Sequence, residues 1–178
     1  MNKLFHRCPR GACQNGFLLG GFTMQTFHGE CQCGAVRYRV QGEVATVFAC
    51  HCRECQRQSA SAFGMALWVR QAQLTLLQGS VQRWQRHTPS GRVMDCDFCP
   101  QCGTRLFHRS SGNGDILSIK PGTLDDAPAW QPVAHIWTAS AQAGWQPPAG
   151  ALCYPGNPPA WAPLLQAWRD HAAACGQP

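Results

Sequence analysis

From residue 35 onward, apolar and polar positions alternate in short runs. In VRYRV (36–40), Val36, Tyr38 and Val40 share one face and two arginines occupy the other. Alternation with a period of two predicts a half-buried β-strand. Similar alternating or wholly apolar runs recur in VATVFA, FGMALWV, LTLLQG, VQRWQRH, TRLFHR, ILSIK and VAHIWT, and turn-forming residues such as GS (79–80) and GNG (112–114) separate them. The pattern predicts a mainly β fold.

Helical patterns are confined to two places. QRQSASA (56–62) predicts one or two helical turns, and Trp161, Leu164, Leu165 and Trp168 share one face of a predicted C-terminal helix within 161–175. Six prolines in 147–163 predict an extended, irregular segment before that helix. We therefore predict three parts: a leader of residues 1–23 that is disordered or precedes a natural start at Met24, a folded domain of residues 24–146, and a proline-rich tail of residues 147–178 that ends in a short helix.

The distribution of charged and apolar residues limits which classes of molecule the protein is expected to bind. The 178 residues carry a formal net charge of +6, but the lysines and arginines are scattered and form no run typical of nucleic-acid binding. No stretch approaches the 18 or so apolar residues of a membrane helix. The leader lacks a convincing signal-peptide core and cleavage site. These features predict a cytoplasmic protein with small-molecule partners, without nucleic acid or membrane as a partner.

Cysteine spacing is the strongest chemical signal in the chain. The sequence contains 12 cysteines, which is well above ordinary usage. Spacings of C-x-C and C-x-x-C are typical of metal ligands, whereas disulfide frameworks are typical of much smaller secreted domains. Seven cysteines fall into three such groups: Cys31 with Cys33, Cys50 with Cys52 and Cys55, and Cys99 with Cys102.

Two glycines indicate how these groups combine. Glycine directly follows the second thiol in CQCG (31–34) and in CPQCG (99–103), where it allows a tight turn whose amide N–H groups point at a thiolate sulfur. We predict that these two pairs form one closed tetrahedral site. The pairing is not forced by spacing alone, because Cys52 and Cys55 could join the CPQCG turn instead.

The remaining group, CHCREC (50–55), would then hold a metal with three thiols. Three protein ligands leave the fourth position of a tetrahedral zinc open to water or substrate, as in a catalytic site. His51 could close the site as a fourth ligand. It lies between two ligands, however, and neighbouring side chains of an extended chain point to opposite faces. We therefore predict an open site.

Four segments occur in a characteristic order: GECQCGAVRY (29–38), CHCRECQR (50–57), FCPQCGTRLF (98–107) and PGTLDD (121–126). They resemble the signature blocks of the glutathione-dependent formaldehyde-activating enzyme family, also called the centromere-protein V/Gfa domain, over about Thr26 to Thr138. The resemblance implies a zinc-containing Mss4-like (β-tent) fold. It also implies carbon–sulfur lyase activity on adducts of glutathione and formaldehyde, such as S-hydroxymethylglutathione.

The resemblance further implies two zinc ions with different roles. A structural zinc would be bound by Cys31, Cys33, Cys99 and Cys102, and a catalytic zinc by Cys50, Cys52 and Cys55. The chain departs from the family's pattern at one position, since many members have glycine where this chain has Ala60. If this backbone lines the substrate cleft, the added methyl group would narrow it.

Three residues near the open site are candidates for catalysis or binding. His51 and Glu54 are the nearest candidates for proton transfer, and Arg57 could hold a glutathione carboxylate through two hydrogen bonds. Each has a plainer alternative. Glu54 would be a solvated surface acid, His51 a hydrogen-bond partner beside the ligands, and Arg57 a counter-charge to the zinc–thiolate group.

Three classes of function fit these features. The first is a zinc-dependent lyase or synthase, and the alternative is a non-catalytic zinc-stabilised binding module, as some relatives of the family are. A thiol-redox or iron–sulfur protein is disfavoured, because the glycine-marked pairs are adequate zinc-binding turns. Outside the seven ligands, Cys96, Cys153 and Cys175 are predicted to be ordinary free thiols.

Overall fold

The computed structural model describes residues 25–88 and 91–175, so the predicted leader (1–23) lies outside the described residues. Within them the chain forms eleven strands: β1 (Thr26–Glu30), β2 (Arg37–Gln41), β3 (Thr46–Cys50), β4 (Gly64–Arg70), β5 (Leu74–Gln78), β6 (Gln82–His87), β7 (Val93–Phe98), β8 (Arg105–Ser110), β9 (Ile116–Ile119), β10 (Ala134–Ile136) and β11 (Leu152–Cys153). Two α-helices, α1 (Arg53–Ser59) and α2 (Ala162–Cys175), and four short 3-10 turns complete the described part. The mainly β prediction with a C-terminal helix is confirmed.

The strands form two sheets. One has three strands in the order β1-β2-β5, and the other has eight in the order β11-β10-β3-β4-β9-β8-β7-β6. Strand β10 runs parallel to both β3 and β11, whereas the other paired neighbours are antiparallel. The parallel pairing aligns Ile136 with Cys50, so β10 ends beside the first thiol of the CHCREC group.

The central strands of the large sheet are buried on both faces. All five residues of β3 are buried. Val47 packs with Leu67 in the larger hydrophobic core, whereas Phe48 and Trp68, the next residue in each strand, pack in a smaller core. Because successive side chains of a strand point to opposite faces, the smaller core lies on the sheet's other face. This two-sided burial explains why VATVFA and FGMALWV read as nearly continuous apolar runs.

The larger core lies where the two sheets face each other. Tyr38 of β2 meets Phe107 of β8 edge-to-face, with ring centroids 4.9 Å apart. The Tyr38 hydroxyl lies 2.7 Å from the Thr123 hydroxyl, which satisfies a buried polar atom. These contacts join the three-stranded sheet to the large sheet and to the turn that follows β9.

The C-terminal segment packs onto the large sheet. Leu164 of α2 joins the smaller core and Trp168 joins the larger one. The Thr46 hydroxyl of β3 donates a hydrogen bond to the Leu164 carbonyl oxygen at 3.1 Å, and β11 pairs with β10. The division between residues 24–146 and 147–178 stays a prediction.

Three elements differ from the expectations drawn from the pattern. The hydrophobic pattern did not predict strands β1 and β7. A buried position in each strand is occupied by a residue that is not apolar, Gly29 in β1 and Asp97 in β7. A Cβ at Gly29 would lie 2.4 Å from the Tyr38 hydroxyl oxygen, so only glycine allows that close approach. Helix α1 begins at Arg53, before the predicted start at residue 56, because the Cys52 sulfur accepts a hydrogen bond from the Cys55 amide and caps it.

Candidate metal centres and the clefts beside them

A four-cysteine cluster forms between two turns at the ends of strands. Cys31 and Cys33 follow β1, and Cys99 and Cys102 follow β7. Their sulfurs all lie within 4.8 Å of one another. Sulfurs bound to a tetrahedral zinc at 2.3 Å are separated by about 3.8 Å. The measured separations of 3.5 Å for Cys31 and Cys33, and 3.8 Å for Cys33 and Cys99, fit that geometry.

Glycine produces both turns of this cluster. Gly34 and Gly103 have φ angles of 74° and 73°, a left-handed conformation that glycine adopts without strain. The Gly34 amide donates to the Cys31 carbonyl oxygen, and the Gly103 amide donates to the Cys99 carbonyl oxygen, both at 2.9 Å. The amide of Val36 donates to the Cys31 sulfur at 3.3 Å. The glycine that marks each motif in the sequence therefore closes the turn that carries the thiols.

Polar neighbours favour ionisation of two thiols in this cluster, whereas at Cys33 the hydrogen bond with the Ala35 backbone is outweighed by those with the sulfurs of Cys31 and Cys102, which raise the pKa of Cys33 to about 12. The Thr104 hydroxyl lies 3.1 Å from the Cys102 sulfur and, with the Thr104 backbone, lowers the pKa of that thiol to about 5. Burial opposes ionisation of Cys31, but hydrogen bonds from the Val36 amide and from Cys33 hold its pKa below the ordinary value. These contacts suit sulfurs that bind a divalent metal as thiolates.

A three-cysteine cluster lies on regular secondary structure. Cys50 ends β3, Cys52 is the N-cap of α1, and Cys55 lies in the first turn of that helix. Their sulfurs also lie within 4.8 Å of one another. Among the described residues, no histidine, cysteine, aspartate or glutamate joins them as a fourth donor. The cluster could therefore hold a metal ion while leaving one coordination position free.

The three thiols cannot all ionise by themselves. Hydrogen bonds from Cys50 and Cys55, and the Cys55 amide, lower the pKa of Cys52. The same pairing raises the pKa of Cys50, since its proton is shared with the neighbouring sulfurs and its environment is buried. One thiolate thus forms at the expense of the others. A divalent cation would let all three ionise, so the donor set fits a metal.

Two clefts meet at the three-cysteine cluster. Cys55, Gly64, Met65 and Lys120 line both of them. The first, here called the polar cleft, has a volume of about 560 Å³ and extends to Cys102 of the other cluster. Its remaining walls carry mostly polar side chains, among them Gln32, Gln58, Ser59, Ser61, Thr104 and Arg105.

The second cleft, here called the aromatic cleft, has a volume of about 680 Å³. It contains Cys50 and Cys52 in addition to the shared residues. One wall is apolar and consists of Phe48, Trp68, Trp137, Pro158, Pro159 and Trp161. Cationic or polar residues, including Arg86, Arg92 and His108, also line this cleft.

The sequence profile of the family described as glutathione-dependent formaldehyde-activating enzyme matches residues 26–140. The chain belongs to this family. Membership confirms the resemblance carried by the four motifs and implies glutathione-dependent activation of formaldehyde. Among solved structures, the chain also matches the crystal structure of a Rhodobacter sphaeroides protein from Northeast Structural Genomics, at 21% sequence identity and a TM-score of 0.45, over 71% of this chain and 98% of that one.

In this member of the formaldehyde-activating family, His51 is buried away from both clefts. Its Nε2 lies 3.0 Å from Nδ1 of His135, and the rings of Phe63 and Trp145 pack against it at centroid distances of 5.2 and 4.3 Å. Burial lowers the pKa of His51 and of His135 and so favours the neutral form of both rings. His51 is not among the donors of the three-cysteine cluster. Its catalytic role stays a prediction.

Glu54 and Arg57 contact each other on the surface of α1. The Arg57 guanidinium donates to the Glu54 carboxylate at 2.7 Å. Glu54 lines the aromatic cleft, whereas Arg57 lines neither cleft and leaves 68% of its side chain exposed. Glu54 therefore lies at a cleft beside the three-cysteine cluster, whereas Arg57 does not. The roles predicted for both residues remain to be tested.

Ala60 ends α1 in a strained conformation. Its φ and ψ angles are 48° and 38°, the left-handed region that glycine favours. Its neighbours Ser59 and Ser61 line the polar cleft, but Ala60 lines neither cleft. The glycine common at this position in the family therefore suits the backbone turn, and the extra methyl group does not narrow a cleft.

Lys120 and His108 are cleft residues that the sequence reasoning did not identify. Lys120 follows β9 and lines both clefts beside Cys55. Burial lowers the pKa of Lys120, while negative charge on Cys55 and Cys50 acts in the opposite direction. Burial, together with the charge of Lys120, holds the pKa of His108 well below its ordinary value. The sequence contains one feature that could have drawn attention to Lys120, because this residue directly precedes the PGTLDD motif.

Neither α-helix in the described residues combines the length and the apolar character needed to span a membrane.

Proposed function

We propose that this protein is a zinc-dependent carbon–sulfur lyase or synthase that acts on glutathione–aldehyde adducts such as S-hydroxymethylglutathione. The observation that carries the proposal is the three-cysteine cluster, which has no fourth protein donor among the described residues and lies where two clefts meet. Family membership supplies the thiol and the aldehyde. A cytoplasmic location is part of the same proposal and is untested.

The two clusters would hold two zinc ions with different tasks. All-thiolate donor sets favour zinc over calcium or magnesium, which prefer oxygen ligands. The closed four-cysteine cluster would stabilise the fold, and the three-cysteine cluster would serve catalysis. When bound at Cys50, Cys52 and Cys55, zinc would supply a positive charge that ionises an incoming thiol at neutral pH.

The proposed reaction joins the glutathione sulfur to the carbonyl carbon of the aldehyde. The thiol proton ends on the carbonyl oxygen, so the product is a hemithioacetal and no oxidant is consumed. The reverse reaction breaks the same carbon–sulfur bond. The protein must therefore hold an anionic thiol, orient the aldehyde and move one proton.

Residues at the junction of the clefts can divide these tasks. The Lys120 ammonium group, which lies between the two clefts, would attract the anionic tripeptide and balance thiolate charge. Glu54 at the edge of the aromatic cleft would carry the proton to and from solvent. His51 would fix the chain between Cys50 and Cys52 through its contact with His135. In a protein with full zinc content, unchanged kinetics after Glu54→Gln or His51→Gln would remove that residue's role.

The first test is zinc stoichiometry, with and without glutathione, on the wild type and on Cys52→Ser. We expect two zinc ions per wild-type chain and one in the variant. Glutathione should perturb only the wild-type site, which cobalt substitution would make visible through its thiolate charge-transfer absorption. Exchange NMR of formaldehyde and glutathione would then measure formation of the hemithioacetal.

Other results would favour the second candidate, a zinc-stabilised binding module without catalysis. Two zinc ions in the wild type, with no spectral response to glutathione and no acceleration of exchange, would mean that the three-cysteine site is closed to thiols. One zinc ion in both proteins would mean that the three-cysteine cluster does not hold a metal. Either result would contradict the proposed enzyme.

A further inference from the structure

Part of the aromatic cleft is built from a segment beyond the family match. The match ends at residue 140, whereas Pro158, Pro159 and Trp161 follow it and line the cleft. Trp161 packs on Trp68 and Phe48, with ring centroids 4.3 and 5.5 Å away. The C-terminal segment therefore adds an apolar wall beside the three-cysteine cluster, and this wall is held in place by ring packing against β3 and β4.

A strained tryptophan completes this wall. Trp137 follows Ile136, the residue aligned with Cys50, and it adopts a φ angle of 57°. Such a conformation is costly for a bulky residue, and strain of this kind often marks a functional site. The indole N–H donates to the Asn157 side-chain oxygen at 2.9 Å, which fixes the ring at the cleft with 38% of the residue exposed.

Packing in the hydrophobic core explains the apolar character of only some residues of this wall. Phe48 and Trp68 are buried in the smaller core and would be apolar in any case. Trp137 is different, because the fold holds it in a strained conformation and leaves it exposed. Burial of that ring by a ligand would recover hydrophobic free energy that the free protein lacks.

We propose that the aromatic cleft binds the carbon skeleton of an aldehyde larger than formaldehyde, with an aromatic or similarly sized apolar substituent. Formaldehyde adds a single carbon to the thiol, and one carbon is too small to cover the rings of Trp137 and Trp161. The polar cleft on the other side of Cys55 is the matching place for the tripeptide. This inference rests on the proposed function, since both substituents of one hemithioacetal would meet at the three-cysteine cluster.

Stable thioethers can test the inference without catalysis. S-methylglutathione imitates the formaldehyde adduct, and S-benzylglutathione imitates the adduct of an aromatic aldehyde. Isothermal titration of the zinc-loaded protein should show that the benzyl compound binds at least about tenfold more tightly, because its ring buries apolar surface against the wall. Trp137→Ala should remove most of that preference and leave the affinity for S-methylglutathione unchanged.

Two further variants keep the test decisive. Asn157→Ala, which removes only the hydrogen bond to the indole, should reduce the preference by a smaller factor even if Trp137→Ala folds poorly. Leu77→Ala is the control, since Leu77 is an apolar residue with 49% exposure that lines neither cleft. It should leave both affinities unchanged.

The outcomes separate the inference from the proposed function. Equal affinity for the two thioethers in the wild type, or a preference that survives both Trp137→Ala and Asn157→Ala, overturns the inference while the proposed function stands. A change of oligomeric state in Trp137→Ala without a change in preference would instead assign the exposed ring to a subunit interface. If neither thioether nor glutathione binds, both the inference and the proposed function fail.

Discussion

The two cysteine clusters present the same ligand atom on different kinds of backbone. The four-cysteine cluster is held by two turns, each closed by a glycine in the left-handed conformation, Gly34 and Gly103. The three-cysteine cluster is held by the end of a buried strand and the first turn of a helix. In the first arrangement a bound metal would tie two loops together, whereas the second is positioned by elements that the hydrophobic cores already fix.

Glycine has a different purpose at each cluster. At Gly34 a Cβ would meet no neighbouring atom, so space does not demand glycine there. Glycine suits this position because its φ angle is left-handed. At Gly64 the requirement is space, because a Cβ would lie 3.2 Å from the Cβ of Cys55. The glycines of the turns thus allow the backbone conformation, whereas Gly64 lets β4 lie close to Cys55 of the three-cysteine cluster. The two clusters therefore differ in how the backbone holds their thiols, and the proposed division of roles follows this difference.

The largest expected difference between the clusters is in stability. Cys99→Ser should reduce the free energy of unfolding by at least about 5 kcal/mol, because the turns after β1 and β7 lose the metal that joins them. Cys52→Ser should cost less than about 2 kcal/mol, since β3 and α1 stay packed without a metal. Thermal unfolding followed by circular dichroism, with zinc content measured in parallel, compares the two variants.

Cys153→Ser is the matched control for this comparison. Cys153 is exposed and lies outside both clusters, so its replacement should leave the zinc content and the melting temperature at the wild-type values. Similar stability losses in Cys99→Ser and Cys52→Ser would contradict the division into a structural and a catalytic site. A larger loss in Cys52→Ser would reverse the two assignments.

The second prediction concerns how charge is divided around the three-cysteine cluster. Lys120→Gln should weaken glutathione binding about tenfold, roughly 1.4 kcal/mol, because the junction of the clefts loses its ammonium group. Zinc content should stay at two ions, since Lys120 is not a ligand. Isothermal titration with glutathione measures the change, and Arg169→Gln, on the exposed surface of α2, is the control.

Arg57→Gln tests whether glutathione binds at Arg57, as the sequence predicts, or beside Lys120, where the two clefts meet. If Arg57→Gln weakens binding as much as expected for Lys120→Gln, and Lys120→Gln has no effect, then the carboxylate binds on the surface of α1. The exposed pair that Arg57 forms with Glu54 favours the opposite result. Surface ion pairs of this kind contribute little to stability, so loss of the pair should leave the free energy of unfolding almost unchanged.

Sequence reasoning predicted best what depends on local pattern. The runs VATVFA and FGMALWV became β3 and β4. Of the four residues predicted to share a helical face, Leu164 and Trp168 are the buried residues of α2, whereas Leu165 is partly buried and Trp161 precedes the helix. The grouping of seven thiols into four and three was predicted from glycine positions, and the structure places those sulfurs together in the same groups. These features depend on residues near one another in the chain or on a recurrent turn.

Features that depend on distant parts of the chain were not visible in the pattern. Asp97 interrupts the apolar pattern of β7, and only the fold shows that Arg83 and Arg109 bind its buried carboxylate. Lys120 looked like the end of a strand, because nothing local indicates that two clefts meet beside it. The wall formed by Trp161 needs the parallel pairing of β10 with β3, which joins strands more than eighty residues apart.

The smallest expected effect concerns helix α1, which contains Cys55 of the three-cysteine cluster and has Cys52 as its N-cap. The turns of the four-cysteine cluster use glycine where φ is positive, but α1 ends on Ala60 at a φ angle of 48°. Ala60→Gly should therefore stabilise the protein by about 0.5–1 kcal/mol, since relief of the strain exceeds the extra entropy that glycine gains in the unfolded chain. Chemical denaturation measures this gain. Ala62→Gly, at a position without a positive φ angle, is the control and should destabilise the protein instead.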